Sequence, residues 1–80
     1  MAQMQLDLHG FKKDQVLEVL DRFLMEVSKK NQKTARILTG KGTGVIQKQV
    51  IQYLKQAHYP WIYEKLSNGK MNEGVLIIFP

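Results

Sequence analysis

The feature that most constrains this chain is a switch of hydrophobic period, from two residues to 3.6, that occurs twice. Gln5-Leu6-Asp7-Leu8-His9 alternates polar and apolar residues and stops at Gly10, the pattern of a half-buried strand. Leu6 and Leu8 then share one face, and Asp7 and His9 the other. From Asp14 the spacing becomes helical, with Val16, Leu20, Phe23, Leu24 and Val27 on one side. Asp14 suits an N-cap or first-turn acid, and Lys29 and Lys30 suit the negative end of the helix. The switch then repeats. Residues 34–39 read as a short, central strand, and Val45, Ile46, Gln49, Val50, Tyr53, Leu54 and Ala57 mark a second helical stripe. His58-Tyr59-Pro60 ends it, because proline disfavours helix at the residue before it.

Two further strands follow, at residues 61–66 and 74–79, with an Asn68-Gly69 turn signal in a long, mobile tip between them. The order β-α-β-α-β-β predicts a parallel right-handed crossover between the first two strands and an antiparallel last pair. The fold class is therefore α/β, a two-layer sandwich of a mixed four-stranded sheet with both helices on one face. Eighty residues make one domain, spanning 1–80.

Composition removes several chemistries. There is no cysteine, hence no disulfide, no thiolate metal site and no cysteine nucleophile, and only two histidines, at 9 and 58. Twelve Lys and Arg stand against seven Asp and Glu, a formal charge of +5, which favours a polyanionic partner. Met1–Gln5 lacks the apolar run of a signal peptide, and no segment approaches membrane-spanning length. A cytoplasmic protein that stays off the membrane is expected, monomeric as an isolated domain.

The segment Thr39-Gly40-Lys41-Gly42-Thr43-Gly44 is the most informative stretch. Alternate glycines remove the Cβ atoms that would hold an anion off the backbone, and the N–H groups can converge on a phosphate at the start of the next helix. Lys41 adds a charge, and Thr39 and Thr43 add hydroxyl donors. The register excludes a P-loop, since Gly42 and not Ser or Thr follows Lys41. It also excludes the dinucleotide fingerprint, which needs Gly-x-Gly-x-x-Gly after the first strand.

If the first two strands are parallel neighbours, Asp7 and His9 emerge at the same sheet edge as this loop. An imidazole that moves a proton, a carboxylate and a phosphate-binding loop suit phosphodiester chemistry. Asp7 could orient the imidazole or help hold a divalent metal, Mg or Mn, although two ligands are few. Lys12 and Lys13, just past Gly10, are placed to touch a phosphate backbone, as are Arg36 and Lys48 if they face that edge. His58 reads as a helix end, and Tyr59, Trp61 and Tyr63 as packing residues, with stacking on unpaired bases as their alternative role.

Leu6-Asp7-Leu8-His9-Gly10, followed about thirty residues later by Thr39-Gly40-Lys41-Gly42-Thr43-Gly44 and closed by the apolar 74–79 segment, resembles the Smr (small MutS-related) family. The resemblance implies a fold like the C-terminal domain of translation initiation factor three, and RNA or DNA binding, often with endonuclease activity. Some members act on stalled ribosomes, which makes the ribosome a further candidate partner. Asp7 and His9 match the pair implicated in cleavage, and Gly40-Lys41-Gly42 the phosphate-proximal loop. Two departures stand out: Thr39 replaces the histidine of many bacterial members, and Asn72-Glu73-Gly74 replaces the usual paired glycines. His9, where the MutS2-type tail carries arginine, leans the chain toward the stand-alone or eukaryotic-type branch.

Overall fold

The computed structural model describes residues 3–40 and 44–80. The order is β1 (Met4–Asp7), α1 (Val16–Lys29), β2 (Ala35–Leu38), α2 (Val45–Gln56), β3 (Trp61–Lys65) and β4 (Met71–Ile78). The strands form one sheet in the order β1-β2-β4-β3. β1 pairs parallel to β2 with Asp7 opposite Leu38, β2 pairs antiparallel to β4, and β4 antiparallel to β3. The mixed four-stranded α/β sandwich expected from the period switches is the observed one.

The strand alternation sorts side chains between two faces. Leu8, Ala35, Ile37, Leu76 and Ile78 meet Val16, Leu20, Leu24 and Val27 of α1 and Val50 and Leu54 of α2 in one core. Burying each large aliphatic side chain is worth roughly 1.5–3 kcal/mol. The face away from the helices carries Asp7, Arg36, Leu38, Ile62 and Glu64, all wholly or partly open to solvent. A hydrogen bond of 2.6 Å from the Tyr53 hydroxyl to Asp21 Oδ1 ties the two helices together. Tyr59, Trp61 and Tyr63 pack against the core, Trp61 and Tyr63 edge to face with ring centres 5.1 Å apart.

Several boundaries differ from the sequence expectation. The N-cap of α1 is Gln15, not Asp14, which lies in the turn before it; the first-turn acid is Glu18. Gln15 is favoured there because its side chain accepts the Lys12 N–H at 3.1 Å, closing the turn that starts the helix.

β4 begins at Met71 instead of Gly74, so the tip of the last hairpin is short. Leu66 N–H donates to Lys70 O at 2.8 Å, and Gly69 N–H to Leu66 O at 2.9 Å, with Gly69 at φ +86°. That is a three-residue hairpin loop ending in a left-handed glycine. Above it the β3–β4 register slips between Tyr63, opposite Leu76, and Glu64, opposite Asn72. The slip throws Glu73-Gly74-Val75 into a bulge at the sheet edge where β1 and β2 end.

Both helices finish on a non-glycine residue at positive φ, Asn31 at 51° and His58 at 61°. Gln32 N–H reaches Val27 O, and Tyr59 N–H reaches Leu54 O. These six-to-one bonds define Schellman caps, which satisfy carbonyls the helix leaves orphaned. His58 is thus a helix terminator at the far end of α2.

Candidate functional site

β1 stops at Asp7, and the chain turns at once. Leu8 N–H still donates to Leu38 O at 2.9 Å, and Phe11 N–H then donates to Leu8 O at 3.1 Å. Gly10, at φ +90°, takes the third position of this turn, the geometry of a type II turn that excludes most side chains. His9 occupies the second position, at the crest. Its own N–H donates to Asp7 Oδ1 at 2.9 Å. The Asp7 carboxylate therefore fixes the backbone that carries the imidazole, rather than bonding to the ring.

β2 reaches the same edge one strand over. Thr39 and Gly40 both donate their N–H groups to Gly74 O, at 2.9 and 3.1 Å. The bulge in β4 is what brings that single carbonyl within reach of both. Gly40 has φ +73°, and beyond its chain neighbours no heavy atom among the described residues lies within 4 Å of where its Cβ would stand. The conformation, not crowding, is what calls for glycine there.

α2 starts at Gly44, an N-cap at φ +81° that supplies no side-chain bond to the first turn. The first turn also lacks an acidic residue. The N–H groups of Val45, Ile46 and Gln47 therefore present the positive end of the helix dipole, with no capping side chain among the described residues. Gln47 Nε2 donates to Glu73 O and straps α2 to the β4 bulge.

Two hollows result, and His9 borders both. On the helix side, a cleft of about 430 Å³ lies between the β1–α1 turn and the start of α2, reaching His9, Gly10, Thr39, Gly40 and Gln47. On the open face of the sheet, a shallower hollow of about 340 Å³ has Leu38 and Val75 beneath it and Asp7, His9 and Asn72 around it.

The expected site residues divide accordingly. Asp7, His9, Thr39, Gly40 and Gly44 come together at one sheet edge. Lys41, Gly42 and Thr43 lie outside the described residues. Lys12 and Lys13 are exposed in the β1–α1 loop and do not line either hollow. The Thr39 hydroxyl is turned toward carbonyls, Gly40 O at 3.3 Å and Gly74 O at 3.4 Å. Lys48 is exposed on α2. Arg36 is not at this edge: it is clamped on the open face between Gln5 Oε1 at 2.6 Å and Glu64 Oε2 at 2.9 Å. No motif points to Gln47, and Asn72 enters the sequence reading only as part of the departure from the paired glycines; both gain their place from the bulge.

The donor set does not fit a divalent-metal site built by the described residues. Such a cation takes about six oxygen ligands, and no three His, Asp or Glu side chains cluster among the described residues. Asp7 brings one carboxylate, with one oxygen already taken. Among the described residues, no helix is long and apolar enough to cross a membrane.

The Smr domain family model matches residues 6–79. Over 70 residues, 88% of the chain, the sequence is 40% identical to Endonuclease MutS2 of Staphylococcus epidermidis, of which it covers 9%. The chain spans about a tenth or less of the curated relatives it matches. Among solved structures, the Smr domain of Thermus thermophilus MutS2 superposes with a TM-score of 0.79 at 25% identity, covering 95% of each chain. The human small-MutS related domain superposes with a TM-score of 0.70 at 31% identity, covering 95% of this chain and 99% of that one. His9 in the first motif thus coexists with clear similarity to MutS2 proteins.

Proposed function

Because the chain belongs to the Smr domain family, we propose that it binds RNA or DNA by the phosphate backbone in the helix-side cleft and cleaves it there. The observation that carries this reading is the start of α2, which no side chain among the described residues caps, facing His9 across the cleft. The first-turn N–H groups are donors aimed where a phosphate oxygen gains charge in the transition state. His9, exposed at the crest of its turn, takes a proton from the attacking hydroxyl or returns one to the leaving oxygen. Asp7 holds the turn that positions it. Lys12, Lys13 and Lys41 add attraction over a longer range, Gly42 and Thr43 bring further donors to the phosphate in this reading, and Thr39, whose N–H and hydroxyl are turned to carbonyls, holds the start of the loop. The excess of twelve basic over seven acidic residues supports the same partner. We place this activity in the cytoplasm, in a monomeric domain that could meet RNA free or on the ribosome.

Comparing cleavage of labelled single- and double-stranded RNA and DNA by the wild type and His9→Ala tests the reading. Loss of cleavage in His9→Ala, with nucleic-acid binding kept, is the expected result. Equal trace cleavage by both proteins would remove the catalytic claim.

One observation favours a second reading, binding without cleavage. Among the described residues, the His9 imidazole has no hydrogen-bonded partner to set its tautomer. That reading expects salt-sensitive binding with no turnover, whichever divalent metal is added.

A further inference from the structure

We propose that the hollow on the open face of the sheet receives an unpaired nucleobase from the strand whose phosphate occupies the helix-side cleft, so that the site selects single-stranded nucleic acid. The inference rests on the phosphate reading of the cleft. It adds to it a second contact, on the opposite face of the sheet.

The two hollows are not separate features. His9 and Gly40 line both, so they meet over the ends of β1 and β2. Gly40 has no side chain to form a wall between them. A strand with one phosphate at the start of α2 can pass over this edge and turn its neighbouring base down onto the open face.

The hollow is shaped for a flat apolar ring with a polar edge. Asp7, Leu38 and Val75 lie side by side on adjacent strands, spanning two strand spacings, about 10 Å. Leu38, half-buried, offers aliphatic surface to a ring face, and Val75, only 6% exposed, backs it. Asp7 Oδ1 is engaged by the His9 N–H, while among the described residues Oδ2 takes no hydrogen bond and can accept from a base N–H. Asn72 Oδ1 holds the Gly74 N–H at 3.1 Å, and its amide reaches Glu64 only at 3.5 Å. A hydrogen of that amide is left for a base acceptor. The bulge in β4 is what places Asn72 on this rim.

A paired base cannot use such a hollow. In a duplex the ring faces are stacked and the polar edges bonded to the opposite strand, so entry requires extrusion of the nucleotide. A single strand has no such cost, and its base gains by covering aliphatic surface that water would otherwise wet.

The test uses fluorescence anisotropy at low salt with three probes. These are a single-stranded oligoadenylate of about eight nucleotides, its abasic counterpart with the same phosphates, and a duplex of matching length. The wild type is expected to bind the intact strand about tenfold more tightly than the abasic one. Leu38→Lys is expected to abolish that preference, because the ammonium stem fills the floor while adding attraction for phosphate. Leu38→Thr, a β-branched residue at the same half-exposed strand position, should weaken the preference in a protein that folds normally. Equal affinity of the wild type for intact and abasic strands would overturn the base subsite and leave the phosphate reading standing. Absence of wild-type binding to all three probes would overturn the phosphate reading, and this inference with it.

Discussion

The carboxylate of Asp7 accepts the backbone N–H of His9 at 2.9 Å, so it acts on the turn and not on the imidazole. An Asp-x-His sequence invites the reading that acid and base are bonded through their side chains. Here the acid stabilises a type II turn whose crest carries the base. A neutral amide oxygen can do the same. Asp7→Asn should therefore keep the fold within a few tenths of a kcal/mol, whereas Asp7→Ala should lose about 0.5–1.5 kcal/mol in urea unfolding. If Asp7→Asn nevertheless removes cleavage, the negative charge has a second role in the reaction itself.

Gly10 is the other half of that turn. At φ +90° it stands in a conformation that costs an L-residue about 1–2 kcal/mol. Beyond its chain neighbours, no heavy atom among the described residues lies within 4 Å of its absent Cβ, so backbone strain sets the cost. Gly10→Ala should lower stability by that amount and displace His9. Unfolding curves and the loss of cleavage should move together, and a variant as stable as the wild type would contradict the turn assignment.

His58 provides a control on the opposite end of α2. It sits at φ +61° as a helix terminator, where glycine pays no steric penalty but loses more chain entropy. His58→Gly should gain about 0.5–1 kcal/mol. Nucleic-acid binding should be unchanged, since His58 borders neither hollow; reduced binding would give it a part that its position does not explain.

The bond between Tyr53 and Asp21 sets a pH dependence. The Tyr53 hydroxyl is pushed up from 10.0 to about 12, first by its hydrogen bond to the Asp21 carboxylate, then by burial and by the charge of Asp21. The folded protein holds this proton more tightly than the unfolded chain does. The contribution to stability is whole below pH 10 and is lost as pH rises toward 12. Chemical denaturation of the wild type should show that alkaline decline, and Tyr53→Phe should flatten it. Identical slopes for the two proteins above pH 10 would mean the bond is not maintained in solution.

Much of this architecture was legible in the residues. The two period switches set the element order, and Leu6 against Asp7 assigned the faces of β1, but the strand ends at Asp7, and His9 sits in the turn beyond it instead of on the strand face. The parallel pairing that joins Asp7 to Leu38 followed from the helix between them. What escaped was carried by the backbone. Met71-Asn72-Glu73 has no apolar pattern, yet it is strand, because pairing of Lys65 with Met71 and Glu64 with Asn72 needs only main-chain groups. The bulge that follows has no sequence signature, and it places Asn72 and the Gly74 carbonyl at the site. Arg36 could not be placed either, because its partners Gln5 and Glu64 are 31 and 28 residues away.

The central claim is that nucleic acid meets this domain where β1, β2 and the start of α2 converge. Titrating the isotopically labelled protein with a short single-stranded RNA, and following backbone amide resonances, tests it most directly. The account predicts salt-sensitive shifts concentrated at His9, Gly10, Gly40, Gly44 and Gln47, with little change at Met25, Ser28 or Tyr59. Shifts centred instead on a second groove, which Met25, Ser28 and Tyr59 line at the other end of the helices, with His9 and Gly40 unmoved, would contradict it.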